Sequence, residues 1–327
     1  MESNIKFDRV VNINKPKGMT SHDVVYKVRK IFNTKKVGHT GTLDPDATGV
    51  LPICIGRATK LSDIILNKDK KYICEMTIGI ETDTYDSSGT IVNEADTSSI
   101  TEEDVIKALK TQSGVIDQYP PIYSALKVNG KKMCDIARSG NADSIVIKSR
   151  KVEIFEITVL DIHLPRVRFE VHCSKGTYIR SICHDVGKIL GVGAHMSDLI
   201  RTKSGIFKIE DSITLEELHK YFEDKEVFDH SYSVEETLSE FPFLKLKDNA
   251  VKYYSNGGKI EMNRFIEFDF DPNSVREFLF DSSKCQNCDK IYRVRVYSNE
   301  NEFIGIGKLH LENDTLTVKS EKIFNIG

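Results

Sequence analysis

No stretch of the 327-residue chain approaches the ~18 consecutive apolar residues that a membrane-spanning helix needs. The opening residues, Met1 to Asp8, are polar, so nothing reads as a secretory leader. Cysteine is sparse: seven residues, an odd number, lie scattered without the spacing of a disulfide scaffold. Neither of the glycine-rich nucleotide signatures, GxxxxGK[ST] or GxGxxG, occurs, so a nucleotide site is not expected. Internal repeats and low-complexity segments are absent too. These exclusions leave a globular protein of a reducing cytoplasm, with no membrane association, long enough for more than one domain.

Charge of one sign is also lacking overall, since the formal net charge is −3. Its distribution is uneven. Residues 12–60 carry nine Lys/Arg against three Asp/Glu, and residues 121–180 carry eleven against six. Residues 209–244 reverse the balance, with two Lys against eleven Asp/Glu. Local charge decides whether a phosphate backbone is attracted. The two basic segments fit nucleic acid as readily as they fit ordinary solvated faces.

The pattern along the chain mixes strands and helices without βαβ alternation. Arg9–Asn14 reads as a strand ended by Lys15-Pro16-Lys17-Gly18. Thr20 or Ser21 caps a helix through about Phe32. Strands are expected over 50–55, 72–80, 152–164 and 167–174. Helices are expected over 58–66, 101–111 and 177–190, the last ended by Gly191. This predicts an α+β fold around a mixed, mostly antiparallel sheet. An acidic bridge follows at 209–244. Alternating runs such as Tyr292–Tyr297 and Phe303–Gly307 then predict a small β-rich module. Residues 1–240 are expected to form the first domain and 241–327 the second.

The richest segment is Gly38 to Gly49. Its glycines let the backbone approach a ligand closely, and Pro45 fixes the chain after Asp44. An aspartate held so rigidly suits a nucleophile or general base. On spacing alone, an Asp-Pro turn with an Asx cap is the commoner reading of such a segment.

Several blocks occur together here. They are Asn14-Lys-Pro-Lys-Gly-Met-Thr-Ser21, Val37-Gly-His-Thr-Gly-Thr-Leu-Asp-Pro45, Gln118-Tyr-Pro-Pro-Ile-Tyr-Ser-Ala-Leu-Lys127, Cys173-Ser-Lys-Gly-Thr-Tyr-Ile-Arg180, and Gly193-Ala-His195 leading to Leu199. In order and spacing they closely resemble the bacterial TruB-type tRNA pseudouridine synthases. The resemblance spans about residues 10–210, and the C-terminal glycine pattern looks like a PUA-type RNA-binding module.

That resemblance implies roles residue by residue. Asp44 matches the catalytic aspartate, Arg180 the arginine that pairs with it, and Tyr72 the tyrosine that packs on the target base. Tyr178 and Leu199 match pocket-lining positions, and His39 a histidine that holds the T-loop open. Lys127, with Lys131, Lys132 and Arg138, matches an insertion that closes over RNA. Taken singly, Tyr72 reads as a core residue, Arg180 as a surface cation and His39 as a loop histidine. The resemblance further implies conversion of uridine 55 to pseudouridine in the tRNA T-loop. It implies tRNA as the partner, a monomer, no guide RNA, and neither metal nor cofactor. A guide-dependent synthase and an RNA-folding chaperone are the rivals. Cys285-Gln-Asn-Cys288 departs from the family pattern. With no second such pair it reads as two thiols at a turn rather than as a zinc site.

Overall fold

The computed structural model describes residues 7–128, 130–140, 147–223, 230–284 and 291–324. Cys285 and Cys288 lie outside the described residues. The chain packs as two compact units: residues 11–54 with 61–231, and residues 7–10 and 55–60 with the chain from Tyr232 onward.

The larger unit begins with β1 (Arg9–Lys15) and α1 (Ser21–Ile31). Thr20 caps α1 in a reciprocal box with Asp23, as its residue type requires. A short β2 (Val37–His39) interrupts the expected loop and leads to β3 (Thr48–Ile55), which is buried along almost its whole length. A 3₁₀ turn precedes α2 (Ser62–Leu66), so the helix expected from 58 starts late. Next come β4 (Lys70–Ile78), the hairpin β5 (Ile80–Thr82) and β6 (Ile91–Glu94), α3 (Glu102–Lys110) and β7 (Gly114–Gln118). After the Pro120-Pro121 break, β8 (Lys127–Val128) and β9 (Lys131–Lys132) form a hairpin ahead of α4 (Met133–Arg138). The unit continues with β10 (Arg150–His163), β11 (Arg166–Cys173), α5 (Ile179–Leu190), β12 (Ala194–Ser204), β13 (Phe207–Lys208) and α6 (Leu215–Glu223). Gly191, in the left-handed region, ends α5.

The main path of the sheet runs β1-β3-β12-β4-β11-β10-β7. The pair β3–β12 is parallel, while β4, β11, β10 and β7 pair antiparallel with their neighbours. The mixed, mostly antiparallel α+β fold expected from the sequence is therefore the one observed. β12 is central, yet its sequence (AHMSDLIRTKS) shows no alternation that announces a strand. Among the polar residues that interrupt it, Arg201 lines the cleft described below, and Ser197 and Asp198 line a smaller cavity.

One close approach sets the centre of this sheet. Gly49 lies opposite Arg201 across the parallel pair, at φ +99°. A β-carbon at Gly49 would sit 2.3 Å from the Arg201 carbonyl oxygen, so only glycine fits.

The smaller unit is built on a six-stranded sheet drawn from residues 243–323. Among the described residues it also holds the helices Val234–Thr237, Asp248–Ser255 and Pro272–Lys284, the last two within the stretch expected to be β-rich. Leu244, Leu246, Tyr254, Val275, Val294, Val296 and Leu316 fill its core. Residues 7–10 and 55–60 belong here for a visible reason. Arg57 Nε pairs with Asp8 Oδ2 at 2.6 Å, and its Nη1 donates to the Phe324 carbonyl at 2.6 Å.

Replacing Gly49 with alanine is expected to destabilise the protein by about 2–3 kcal/mol, because a positive φ and a backbone clash coincide. Urea denaturation checks this. A midpoint within error of wild type would mean that the strand pair tolerates a β-carbon at this position.

Candidate active site

The loop between β2 and β3 carries Asp44, and three neighbours clamp it. The Ser21 hydroxyl, at the start of α1, accepts from Leu43 N at 2.9 Å and donates to Leu43 O at 3.2 Å. Gly18 N donates to Pro45 O at 2.9 Å. The fully buried Lys15 sends its ammonium to the carbonyls of Pro16 (2.9 Å), Met19 (2.6 Å) and Pro45 (2.9 Å). Lys15 therefore ties the Pro16–Met19 turn to the Asp44 loop. Burial holds its pKa down to about 8, and the nearby Asp46 and Asp44 oppose that fall.

Asp44 faces Arg180, which projects from the first turn of α5. Arg180 is buried, with Nε 3.1 Å from Asp44 Oδ2 and Nη2 3.4 Å from Asp44 Oδ1. The same guanidinium reaches Asp86 Oδ2 at 3.1 Å through Nη1. It also donates to the carbonyls of Thr84 and Tyr123, each at 3.1 Å. One arginine thus bridges two carboxylates and two backbone segments. Asp86 was not among the residues singled out from sequence. It sits in the polar β5–β6 turn, where an aspartate reads as ordinary turn chemistry.

The Asp44 side chain is 38% exposed at the floor of a cleft of about 560 Å³. The cleft lining includes Lys70, Arg150, Lys151, Lys175, Arg180 and Arg201, with Asp44 as its one carboxylate among the described residues. Such a lining attracts a polyanion. A second cavity of about 390 Å³ touches the other side of the Asp44–Arg180 pair.

Burial is the larger influence and pushes the Asp44 carboxyl above the usual range. Arg180 opposes that shift, and Asp86 adds to it.

Tyr72, Tyr178 and Leu199 line the cleft as expected. Tyr72 is largely buried on β4, with Arg201 as its partner across the β12–β4 pair. Burial raises the Tyr72 pKa and keeps the phenol neutral. Arg201 also donates to Val50 O at 2.6 Å and to Gly41 O at 3.3 Å, so it braces both ends of the Asp44 loop. Tyr178 stands at the N-terminus of α5 beneath the Arg150 guanidinium, 4.5 Å from its ring centre. The buried Gln118 amide clamps the Tyr178 backbone from both sides, at 3.0 and 2.8 Å.

His39 and Lys127 do not line the cleft. His39 is half-buried on β2, edge-on to His22 at 5.7 Å, and Gly41 N donates to its Nδ1 at 3.3 Å. Burial lowers its pKa and favours the neutral ring. Lys127 is exposed on the β8–β9 hairpin. The residues that sequence reasoning missed are Lys15, Asp86 and Arg201. Lys15 and Arg201 lie in quoted or adjacent segments, but only burial reveals what their charges hold.

Comparison with known proteins follows this geometry. Residues 29–179 match the model of the TruB family pseudouridylate synthase N-terminal domain. Residues 180–240 match that of the tRNA pseudouridylate synthase B C-terminal domain. The chain is 54% identical to tRNA pseudouridine synthase B of Clostridioides difficile, covering 97% of this chain and 99% of the relative. It is 42% identical to the Clostridium kluyveri protein of the same name, with the same coverage. A solved Cbf5-Nop10-Gar1 complex contains a chain that superposes with a TM-score of 0.72 at 29% identity, over 98% of this chain and 86% of that one. A chain of an H/ACA ribonucleoprotein bound to substrate RNA gives 0.71 at 28%, over 99% and 87%. The chain belongs to the TruB family of tRNA pseudouridine synthases.

Proposed function

We propose that the protein converts uridine 55 of the tRNA T-loop to pseudouridine, with Asp44 as nucleophile, acting alone in the cytoplasm as a monomer. The observation that carries this reading is the single cleft carboxylate, held by a buried arginine among six cations. In the reaction the C1′–N1 bond breaks, the detached uracil turns, and C5 bonds to C1′. The C5 proton leaves and N1 gains one, so composition and oxidation state are unchanged. That balance calls for neither a redox cofactor nor a co-substrate.

The target base must leave its stack to reach Asp44, at a cost of a few kcal/mol. The cleft position of Tyr72 lets its ring take up the flipped base, and stacking of this kind contributes roughly 1–3 kcal/mol. Leu199 and Tyr178 bound the same space. The cations along the rim meet the phosphates of the T-loop and stem. His39 and Lys127 contact RNA outside the cleft. Residues 1–240 form the catalytic domain, and residues 241–327 act as a PUA-like RNA-binding module.

The guide-dependent alternative rests on the structural neighbours, one from an H/ACA ribonucleoprotein bound to substrate RNA and one from a Cbf5-Nop10-Gar1 complex. The 54%-identical relative carries the name of a tRNA enzyme, which favours the stand-alone reading.

Three outcomes are expected. Wild-type protein alone forms pseudouridine at the T-loop uridine of an unmodified transcript, mapped nucleotide by nucleotide, and Asp44→Asn forms none. Product that appears only with added guide RNA, or unimpaired turnover by Asp44→Asn, contradicts the proposal. Second, activity needs ionised Asp44, whose pKa lies above the usual carboxylate value. The acid limb of kcat/KM should therefore fall at a pH above that value. A limb at or below it contradicts the electrostatic assignment. Third, a carboxyl whose pKa is raised by folding costs stability once ionised, and the cost vanishes at low pH. Asp44→Asn should therefore melt above wild type at pH 7, and the two should converge below about pH 4. A lower melting temperature for the variant at pH 7 would contradict this.

A further inference from the structure

The turn that presents Asp86 to Arg180 contains a bulky residue in a backbone region it rarely occupies. Tyr85 has φ +62°. The left-handed region is disfavoured for a bulky side chain and persists only where the surroundings enforce it. Here the enforcing contact is visible. The Tyr85 ring lies flat on the His184 imidazole, centroids 3.7 Å apart and planes 12° apart. His184 is buried on α5, one turn beyond Arg180. Its Nδ1 lies 3.3 Å from Glu81 Oε1, and its Nε2 has no hydrogen-bond partner among the described residues. The imidazole therefore serves as a flat platform more than as a hydrogen-bonding group. Burial lowers its pKa to about 4, which keeps the ring uncharged under Tyr85.

The consequences of this stack run directly to the catalytic arginine. Thr84 and Asp86, which flank Tyr85, are the two turn residues that Arg180 Nη1 contacts, each at 3.1 Å. The turn is tied down on its far side as well. Met196 N donates to Tyr85 O at 3.0 Å, and Ser87 N donates to Met196 O at 3.1 Å. Asp86 Oδ1 is occupied by Thr84 Oγ1 (2.7 Å) and Ser88 N (3.0 Å), leaving Oδ2 for Arg180. The stack thus joins the turn to the helix that carries Arg180, on the same side as the Asp86–Arg180 contact.

We propose that Tyr85 and His184 are positioning residues: their stack locks the Thr84–Asp86 turn against Arg180 and so fixes the guanidinium on Asp44. Neither residue touches the cleft, so their effect passes through Asp86. The inference rests on the reading of Asp44 as nucleophile.

The test compares Tyr85→Phe with Tyr85→Gly, each alone and on an Asp86→Asn background, beside Asp44→Asn. Glycine accepts φ +62° without penalty but carries no ring, so it isolates loss of the stack from backbone strain. Tyr85→Phe should keep wild-type kcat and KM. Tyr85→Gly should lower kcat about tenfold, with KM for tRNA within about twofold of wild type and a melting temperature that shows a folded protein. On the Asp86→Asn background, Tyr85→Gly should cause little further loss, because both changes break one pathway. Wild-type kcat for folded Tyr85→Gly, or a loss that adds in full to that of Asp86→Asn, overturns the inference while an inactive Asp44→Asn leaves the proposed function standing. An active Asp44→Asn overturns that reading and this inference together.

Discussion

One buried guanidinium organises the catalytic unit. Arg180 meets Asp44, Asp86 and the carbonyls of Thr84 and Tyr123, so three segments distant in sequence converge on a single planar group. Arginine suits this task better than lysine, because its fork of donors is fixed and stays charged. A buried cation left without partners would be costly, and here two carboxylates share it. Neither carboxylate is fully satisfied by the shared arginine. Asp44 keeps an elevated pKa and an open side towards the cleft, which leaves its oxygens available to a substrate.

The rest of the fold holds this group and its partner loop in place. Lys15 and Ser21 grip the Asp44 loop from α1 and the turn before it, and Arg201 grips it from the central strand. Gly49 permits the close passage of the two strands that makes the Arg201 contacts possible. Clamping of this kind keeps a reacting group in position before substrate arrives, which limits reorganisation during the reaction. The cleft is lined by cations although the chain as a whole carries a net charge of −3.

Much of this was legible in the sequence, and what was not shares a cause. Periodicity marked α1, β4 and β11 because each buries one regular face, and β1, β10 and α5 were expected as well although β1 is buried on both faces. β12 escaped notice because Asp198, Arg201 and Lys203 break its apolar pattern. The resemblance of separate blocks to one family placed Asp44, Arg180, Tyr72, Tyr178 and Leu199, and the structure gathers all five around one cleft. Asp86 and Lys15 were invisible as functional candidates. An aspartate in a turn and a lysine before a proline are common, and only burial shows that their partners lie far along the chain. His39 and Lys127 were legible as motif residues, yet they stand outside the cleft. The two C-terminal helices were lost among stronger strand signals.

The claim at the centre of this account is that burial lifts the Asp44 carboxyl while Arg180 restrains it. Carbon-13 NMR of the Asp44 carboxyl, titrated with acid in wild type and in Arg180→Met, measures both effects. The account requires the wild-type group to titrate above the usual carboxylate value and to move further up when Arg180 is removed. A wild-type value at or below the usual range, or one that does not respond to loss of Arg180, would contradict it.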